Sequence, residues 1–178
     1  MGLYLIESSL NGIVSTKEEL DQKATNLNEE LNKNNAALIE LQVSRDFSRS
    51  FFIVEGEDRT LATNALRAAE IPVQLVKEVR LIGKELEDVK KNKDVVNYLV
   101  EWNIPENITM DQYLERKKKN SVHYQEVPEV AFSRTYVCED MTKCLCFYDA
   151  PDVAAVKRAR EAVQTPIDSI TEILTDNK

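Results

Sequence analysis

Leu-Tyr-Leu-Ile-Glu-Ser-Ser at residues 3–9 and Asn-Tyr-Leu-Val-Glu-Trp-Asn at residues 97–103 are one stretch written twice. Tyr4/Tyr98, Leu5/Leu99 and Glu7/Glu101 are identical, and the same shift of 94 residues carries on without a gap. Leu20/Leu114, Lys23/Lys117, Asn26/Asn120, Ala37/Ala131, Val43/Val137 and Asp46/Asp140 fall on it. So do Asp58/Asp152, Ala65/Ala159, Ala68/Ala162, Pro72/Pro166 and Glu78/Glu172. Two copies are too few for a solenoid, which needs about three. The pattern predicts a fused pseudo-dimer, one chain doing what two identical subunits would do.

Each copy reads as strand, helix, strand, strand, helix, strand. The opening strands, Leu3–Ser8 and Asn97–Trp102, are rich in β-branched and aromatic residues. Ser15-x-x-Glu18 and Thr109-x-x-Gln112 have the form of a capping box. Leu20, Ala24, Leu27 and Leu31 then follow at helical spacing. The second copy of this helix is less regular, and Tyr124–Pro128 reads as a loop. Ala36–Asp46 with Ser50–Glu55, and Val130–Asp140 with Cys144–Asp149, are joined by short polar turns and predict hairpins. Asp58 and Asp152 stand where an N-cap belongs. Small residues behind them (Ala62, Ala65, Ala69; Val156, Ala159, Val163) let a helix lie close on a sheet, and Pro72 and Pro166 follow as stops. Val73–Ile82 and Ile167–Leu174 complete the repeats as strands.

The order β-α-β-β-α-β is the ferredoxin-like arrangement. The fold class predicted is therefore α+β: two tandem ferredoxin-like repeats, residues 1–84 and 95–178. The charged stretch Lys84–Asp94 marks the boundary, with 85–94 as the linker. A sheet covered by helices on one face must bury the other. The expectation is sheet-to-sheet packing with helices outside, a covalently closed dimeric α/β barrel with a ligand cavity between its halves.

The hydrophobic fraction of 43% and charged fraction of 30% are those of an ordinary folded domain. A net charge of −8 argues against nucleic acid as a partner, since binding phosphates rests on basic patches. Lys117–Lys119 reads as a solvated helix face. No apolar run reaches the roughly 18 residues of a membrane span, and the residues ahead of the first strand do not show a basic segment followed by an apolar core. A cytoplasmic protein without a membrane partner is expected, a monomer as a fused pseudo-dimer or a homodimer of that unit. Three cysteines, Cys138, Cys144 and Cys146, suit neither a disulfide framework nor a zinc knuckle. Cys144-x-Cys146 places two thiols on one face of a strand.

The second repeat resembles the small ferredoxin-like family of nickel-responsive, nickel-binding proteins. The resemblance rests on Val137–Asp140, on Cys146-Phe-Tyr-Asp-Ala-Pro-Asp152, and on the helix from Val156 to Pro166 leading into Ile170. It implies single domains that pair through their sheets and hold metal with histidines, in a helix reading His-x-x-Ala-His-Gly. Here the two histidine positions hold Ala159 and Val163, and Ala65 and Ala69 in the first repeat. Those side chains have no lone pair to donate, so the resemblance carries the fold and not the metal site. No metal and no cofactor are expected.

The candidate ligand-binding residues are Glu7, Glu101, Tyr136, Cys146, Tyr148 and His123. Glu7 and Glu101 lie at matching points of the first strands among apolar neighbours. There each needs a partner such as Arg45 or Arg134, a proton or a ligand. Tyr136, Cys146 and Tyr148 alternate on adjoining strands and are expected to share one wall. Cys146 has no basic neighbour in sequence and reads as unreactive. His123, the one histidine, belongs near the end of a helix or in the loop behind it. No phosphate loop or Ser/His/Asp motif appears. The function predicted is a non-catalytic small-ligand-binding or sensor protein. The alternatives are a cofactor-independent oxygenase, isomerase or cyclase using a cavity carboxylate, and a nickel protein with a rebuilt site.

Overall fold

The computed structural model describes residues 1–91 and 95–175. They form two compact units, one comprising Met1–Val79 with residues 89–91, the other residues 80–88 with 95–175. The last part of the linker expected over 85–94, residues 92–94, lies outside the described residues, as do 176–178 at the end of the second repeat.

In the first unit the order is β1 (Gly2–Ser8), α1 (Lys17–Asn32), β2 (Ala37–Val43), β3 (Ser50–Gly56), α2 (Arg59–Ala68) and β4 (Leu75–Ile82). β1 is central, antiparallel to β3 and β4, and β2 closes one edge on β3. α1 buries Leu20, Leu27 and Leu31. Such burial contributes roughly 1.5–3 kcal/mol for each leucine. The N-cap of α1 is Thr16, whose hydroxyl accepts from the Glu19 amide at 3.1 Å. The cap is thus one residue later than the Ser15-x-x-Glu18 reading. The Glu19 carboxylate bonds back to the Ser15 amide and hydroxyl, so adjacent hydroxyl residues offered two frames and this bond selected one.

A short helix, α3 (Leu86–Lys90), stands in the charged connector and buries Val89. The second unit then runs β5 (Tyr98–Asn103), α4 (Met110–Asn120), a 3-10 segment (Ser121–Glu126), β6 (Ala131–Cys138), β7 (Lys143–Asp149), α5 (Val153–Ala162) and β8 (Ser169–Glu172). Its sheet order, β6-β7-β5-β8, repeats β2-β3-β1-β4. The four-residue β8 falls short of the expected Ile167–Leu174. The Thr109 capping box forms in full, with Gln112 returning to the Thr109 amide at 2.9 Å.

The repeat extends to backbone detail. Register shifts fall at Leu38/Glu40 and at Phe132/Arg134, which are equivalent positions. Asp58 and Asp152 each accept from the amide three residues on at 2.8 Å. Positive φ recurs at Phe47 and Met141, and again at Glu70 and Gln164. In one respect the copies part: α1 runs unbroken through its last turns, whereas the second unit changes at Ser121 into a 3-10 helix. That change sets up the site.

Candidate functional site in the second unit

Antiparallel register decides which side chains share a face. Val100 opposes Cys146, Tyr98 opposes Tyr148 and Trp102 opposes Cys144. All six belong to the core that packs under α4 and α5. Tyr136 opposes Leu145 and makes an edge contact with Phe147, on the other face. The wall expected from Tyr136, Cys146 and Tyr148 is therefore split, with only the last two together. The register shift between Phe132 and Arg134 moves Tyr136 off the face that an unbroken alternation assigns it.

Glu7 and Glu101 hold the same partner in each copy. Glu7 is paired with Arg49 at 3.0 Å, and Glu101 with Lys143 at 2.9 Å, arginine and lysine occupying equivalent positions. Glu101 is 6% exposed, and the lysine side chain beside it is also largely buried. Arg134, fully enclosed, lies over the Phe147 ring.

Under the helices of the second unit lies a polar cluster. Arg160, on α5, is 1% exposed. Its Nη1 donates to the Tyr148 hydroxyl at 3.0 Å and its Nη2 to the Pro166 carbonyl at 2.6 Å, while Nε has no partner. Both partners are neutral. An uncompensated guanidinium in the interior costs several kcal/mol. The Tyr148 hydroxyl bonds that of Tyr124 at 2.6 Å, bringing the 3-10 segment down onto β7. Tyr124 stacks on Phe132, and the Lys117 ammonium sits 4.5 Å from the Phe132 ring.

A pair of thiols lies among these groups. The Sγ atoms of Cys144 and Cys146 are 4.0 Å apart, and the Thr135 hydroxyl donates to Cys146 at 3.2 Å. Tyr113 is hydrogen-bonded to Cys144, and the Cys144 and Cys146 thiols to each other. The bond from Cys144 holds the Cys146 thiol well below its ordinary range; burial opposes this, and the charges of Lys117 and Arg160 and the Thr135 bond add to it. Burial likewise works against the Arg160 charge, but Cys146 and Tyr148 more than offset it and keep the guanidinium protonated. Burial pushes the hydroxyls of Tyr113, Tyr124 and Tyr148 far up, so all three stay hydrogen-bond donors. Cys146 has no basic neighbours in sequence and gains them from the fold. Its basic neighbours come from α4 and α5, distant in sequence.

His123 lies on the exposed 3-10 segment, with Nδ1 2.5 Å from Glu126. Both line a surface groove of about 490 Å³ with Val127, Arg158, Glu161, Ala162 and Gln164. Among the described residues no group of three or more His, Cys, Asp or Glu side chains could hold a metal ion.

Sequence reasoning passed over Arg160, Tyr113 and Tyr124. Arg160 carried a usable signal. It stands four residues after Val156, on the stripe that α5 buries. The first unit fills the equivalent position with Leu66 and uses Phe52 and Val54 in place of Cys146 and Tyr148. All three are fully enclosed.

Comparison with known proteins agrees with this architecture. A chlorite dismutase-like protein, TA0507, has a TM-score of 0.59 at 15% identity, covering 98% of this chain and 96% of its own. A monooxygenase-like protein from Lactobacillus acidophilus NCFM gives 0.52 at 9% identity, covering 97% and 92%. These two likenesses show the fold. SCO4226 from Streptomyces coelicolor A3(2) gives 0.39 at 19% identity and covers 45% of this chain and 98% of its own. No curated protein matches the chain significantly. Among the described residues, no helix is long and apolar enough to cross a membrane. The family model for the nickel responsive protein SCO4226-like matches residues 98–173, which lie in the second unit and make up less than half of the chain.

Proposed function

We propose that this chain is a non-catalytic small-ligand-binding or sensor protein of the cytosol, and that the polar interior of its second unit is the part that responds. The observation that carries this reading is the contrast between the copies. Arg160, Tyr148 and Cys146 occupy positions where Leu66, Val54 and Phe52 make an ordinary core in the first unit. A buried cation is weak as a stabilising device, since an apolar replacement of similar volume is often neutral or better. Its presence in one copy alone speaks for a role other than folding. The name of the family, nickel responsive, is in keeping with a sensor, although the positions of its histidines are Ala159 and Val163 here.

A thermal-shift screen against small organic acids and aromatic ligands tests the reading. A ligand that raises the melting temperature of the wild type, and has no effect on Arg160→Leu, supports it. No stabilising ligand, or an equal shift in the variant, counts against it. The burial of Glu101 favours a second reading, a cofactor-independent enzyme with this carboxylate as acid or base. In that case Glu101→Gln abolishes turnover while binding is retained.

A further inference from the structure

The groove on the surface of the second unit and the buried cluster beneath it are interleaved in sequence. Tyr124 lies between His123 and Glu126, and Arg160 between Arg158 and Glu161. The outward residues line the groove, and the inward ones reach Tyr148. One segment separates the two, the 3-10 turn Ser121–Glu126, which replaces the continuous helix of the first unit and buries none of its residues fully. A segment so lightly held opens more easily than the core below it.

Behind it are two thiols 4.0 Å apart on one face of β7. Cys146 accepts from Thr135, and the buried guanidinium of Arg160 lies in the same cluster, its Nε without a hydrogen-bond partner. From this geometry we infer that Cys144 and Cys146 form a peroxide-reactive dithiol, with Cys146 as the nucleophile and Cys144 as the resolving thiol. The inference rests on reading the second unit's interior as the responsive site and names the class of reagent as a small hydroperoxide.

The chemistry balances without a further co-reactant. The Cys146 thiolate attacks the terminal oxygen of ROOH; an S–O bond forms, the O–O bond breaks, and the alkoxide leaves and is protonated by water to ROH. Sulfur is oxidised and peroxide reduced. The Cys144 sulfur then attacks the Cys146 sulfenic acid. An S–S bond forms, and hydroxide departs with the Cys144 proton as water. The sulfur atoms must close from 4.0 Å to about 2.05 Å. The groups facing Cys146 are Lys117 and Tyr113 from α4, Tyr124 from the 3-10 segment, Arg160 from α5, and Cys144 and Tyr148 from β7; the bond from Cys144, the charges of Lys117 and Arg160 and the Thr135 bond favour the first step, and burial opposes it. Cys138, also buried, is the internal control: burial and the Asp140 charge raise its thiol, and the Thr142 bond and Lys143 offset this only in part.

The test treats the full chain with one equivalent of hydrogen peroxide, then alkylates it under denaturing conditions for mass spectrometry. The peptide holding Cys144 and Cys146 should lose two hydrogens and take no alkyl group, while Cys138 is alkylated in full. Arg160→Leu, which copies Leu66 of the first unit, should slow the oxidation at least about tenfold. Lys117→Met, at a half-exposed position, should slow it in the same direction, which keeps the test open should Arg160→Leu fail to fold. In Cys144→Ser, dimedone should trap a sulfenic acid on Cys146. Equal rates at Cys138 and Cys146, unchanged rates in both charge variants, or a wild-type sulfenic acid that never closes would overturn the proposal. Ligand screening of Cys146→Ser separates the two readings. Stabilisation that persists there without peroxide chemistry in the wild type leaves ligand binding standing and removes the dithiol.

Discussion

Gln164 and Glu70 hold φ values of 54° and 61°, in the left-handed region where a side chain is strained. Each ends a helix, α5 and α2, in a Schellman turn. The Thr165 amide returns to the Arg160 carbonyl and the Ile71 amide to Leu66. Glycine is the residue that such a turn prefers, so Gln164→Gly should stabilise the protein by about 0.5–1 kcal/mol. A urea melt with unchanged slope and a higher midpoint is the expected result, and a lower midpoint refutes it. The Arg116 bond to the Gln164 carbonyl is to the backbone and survives the change. At the β2–β3 turn, bonds from Ser48 and then Ser44 hold the Asp46 carboxyl down at about 2. Because the folded value is depressed, Asp46 contributes stability above its ordinary 3.8 and loses it as pH falls toward about 2. The stability gap between wild type and Asp46→Asn should therefore close across that window. A gap that persists at the acid end assigns it to something other than this carboxylate.

At the scale of elements, the two copies of the first helix show how one residue redirects a segment. Glu30 in α1 corresponds to Tyr124, and α1 keeps its register to Asn32. In the second unit the 3-10 winding brings the Tyr124 ring against Phe132 and Tyr148. Tyr124→Phe removes the hydroxyl bond at 2.6 Å but keeps the ring contacts. The predicted loss is about 1 kcal/mol. Amide exchange should quicken across 121–126 while α5 is unchanged. Exchange that rises throughout the unit would mean that the bond holds the whole core.

For the whole molecule, the decisive quantity is what the two copies lack in common. The helix positions that carry the histidines of the related family are Ala65, Ala69, Ala159 and Val163, all buried. They serve the close approach of helix to sheet and leave no lone pair for a metal. Protein purified without an affinity tag should therefore hold less than a stoichiometric equivalent of nickel or zinc by elemental analysis. One equivalent, lost on His123→Ala or Glu101→Ala, would show a rebuilt site. The acid surplus of the chain likewise predicts no retardation of DNA or RNA in a gel at physiological salt. A shifted band there contradicts it.

The architecture was legible in the chain because its causes are local and stated twice. Period-two strands, helix stripes, Asp58 and Asp152 as caps and the stops at Pro72 and Pro166 each act within a few residues, and the shift of 94 repeats them. The turn chemistry was partly readable. Thr16 took the cap beside Ser15 because the Glu19 carboxylate chose between two equivalent hydroxyls. The candidate site was readable only in pieces. Cys146, Tyr148 and His123 could be singled out, but the side of the sheet taken by Tyr136 depended on the shift of register at Phe132/Arg134. The thiol of Cys146 is lowered first by the bond from Cys144 on its own strand and then by Lys117 and Arg160, brought to it by two different helices. Local pattern therefore determined which elements form. Burial and charge, which act through space between residues far apart along the chain, decided which of their side chains meet and what protonation they keep.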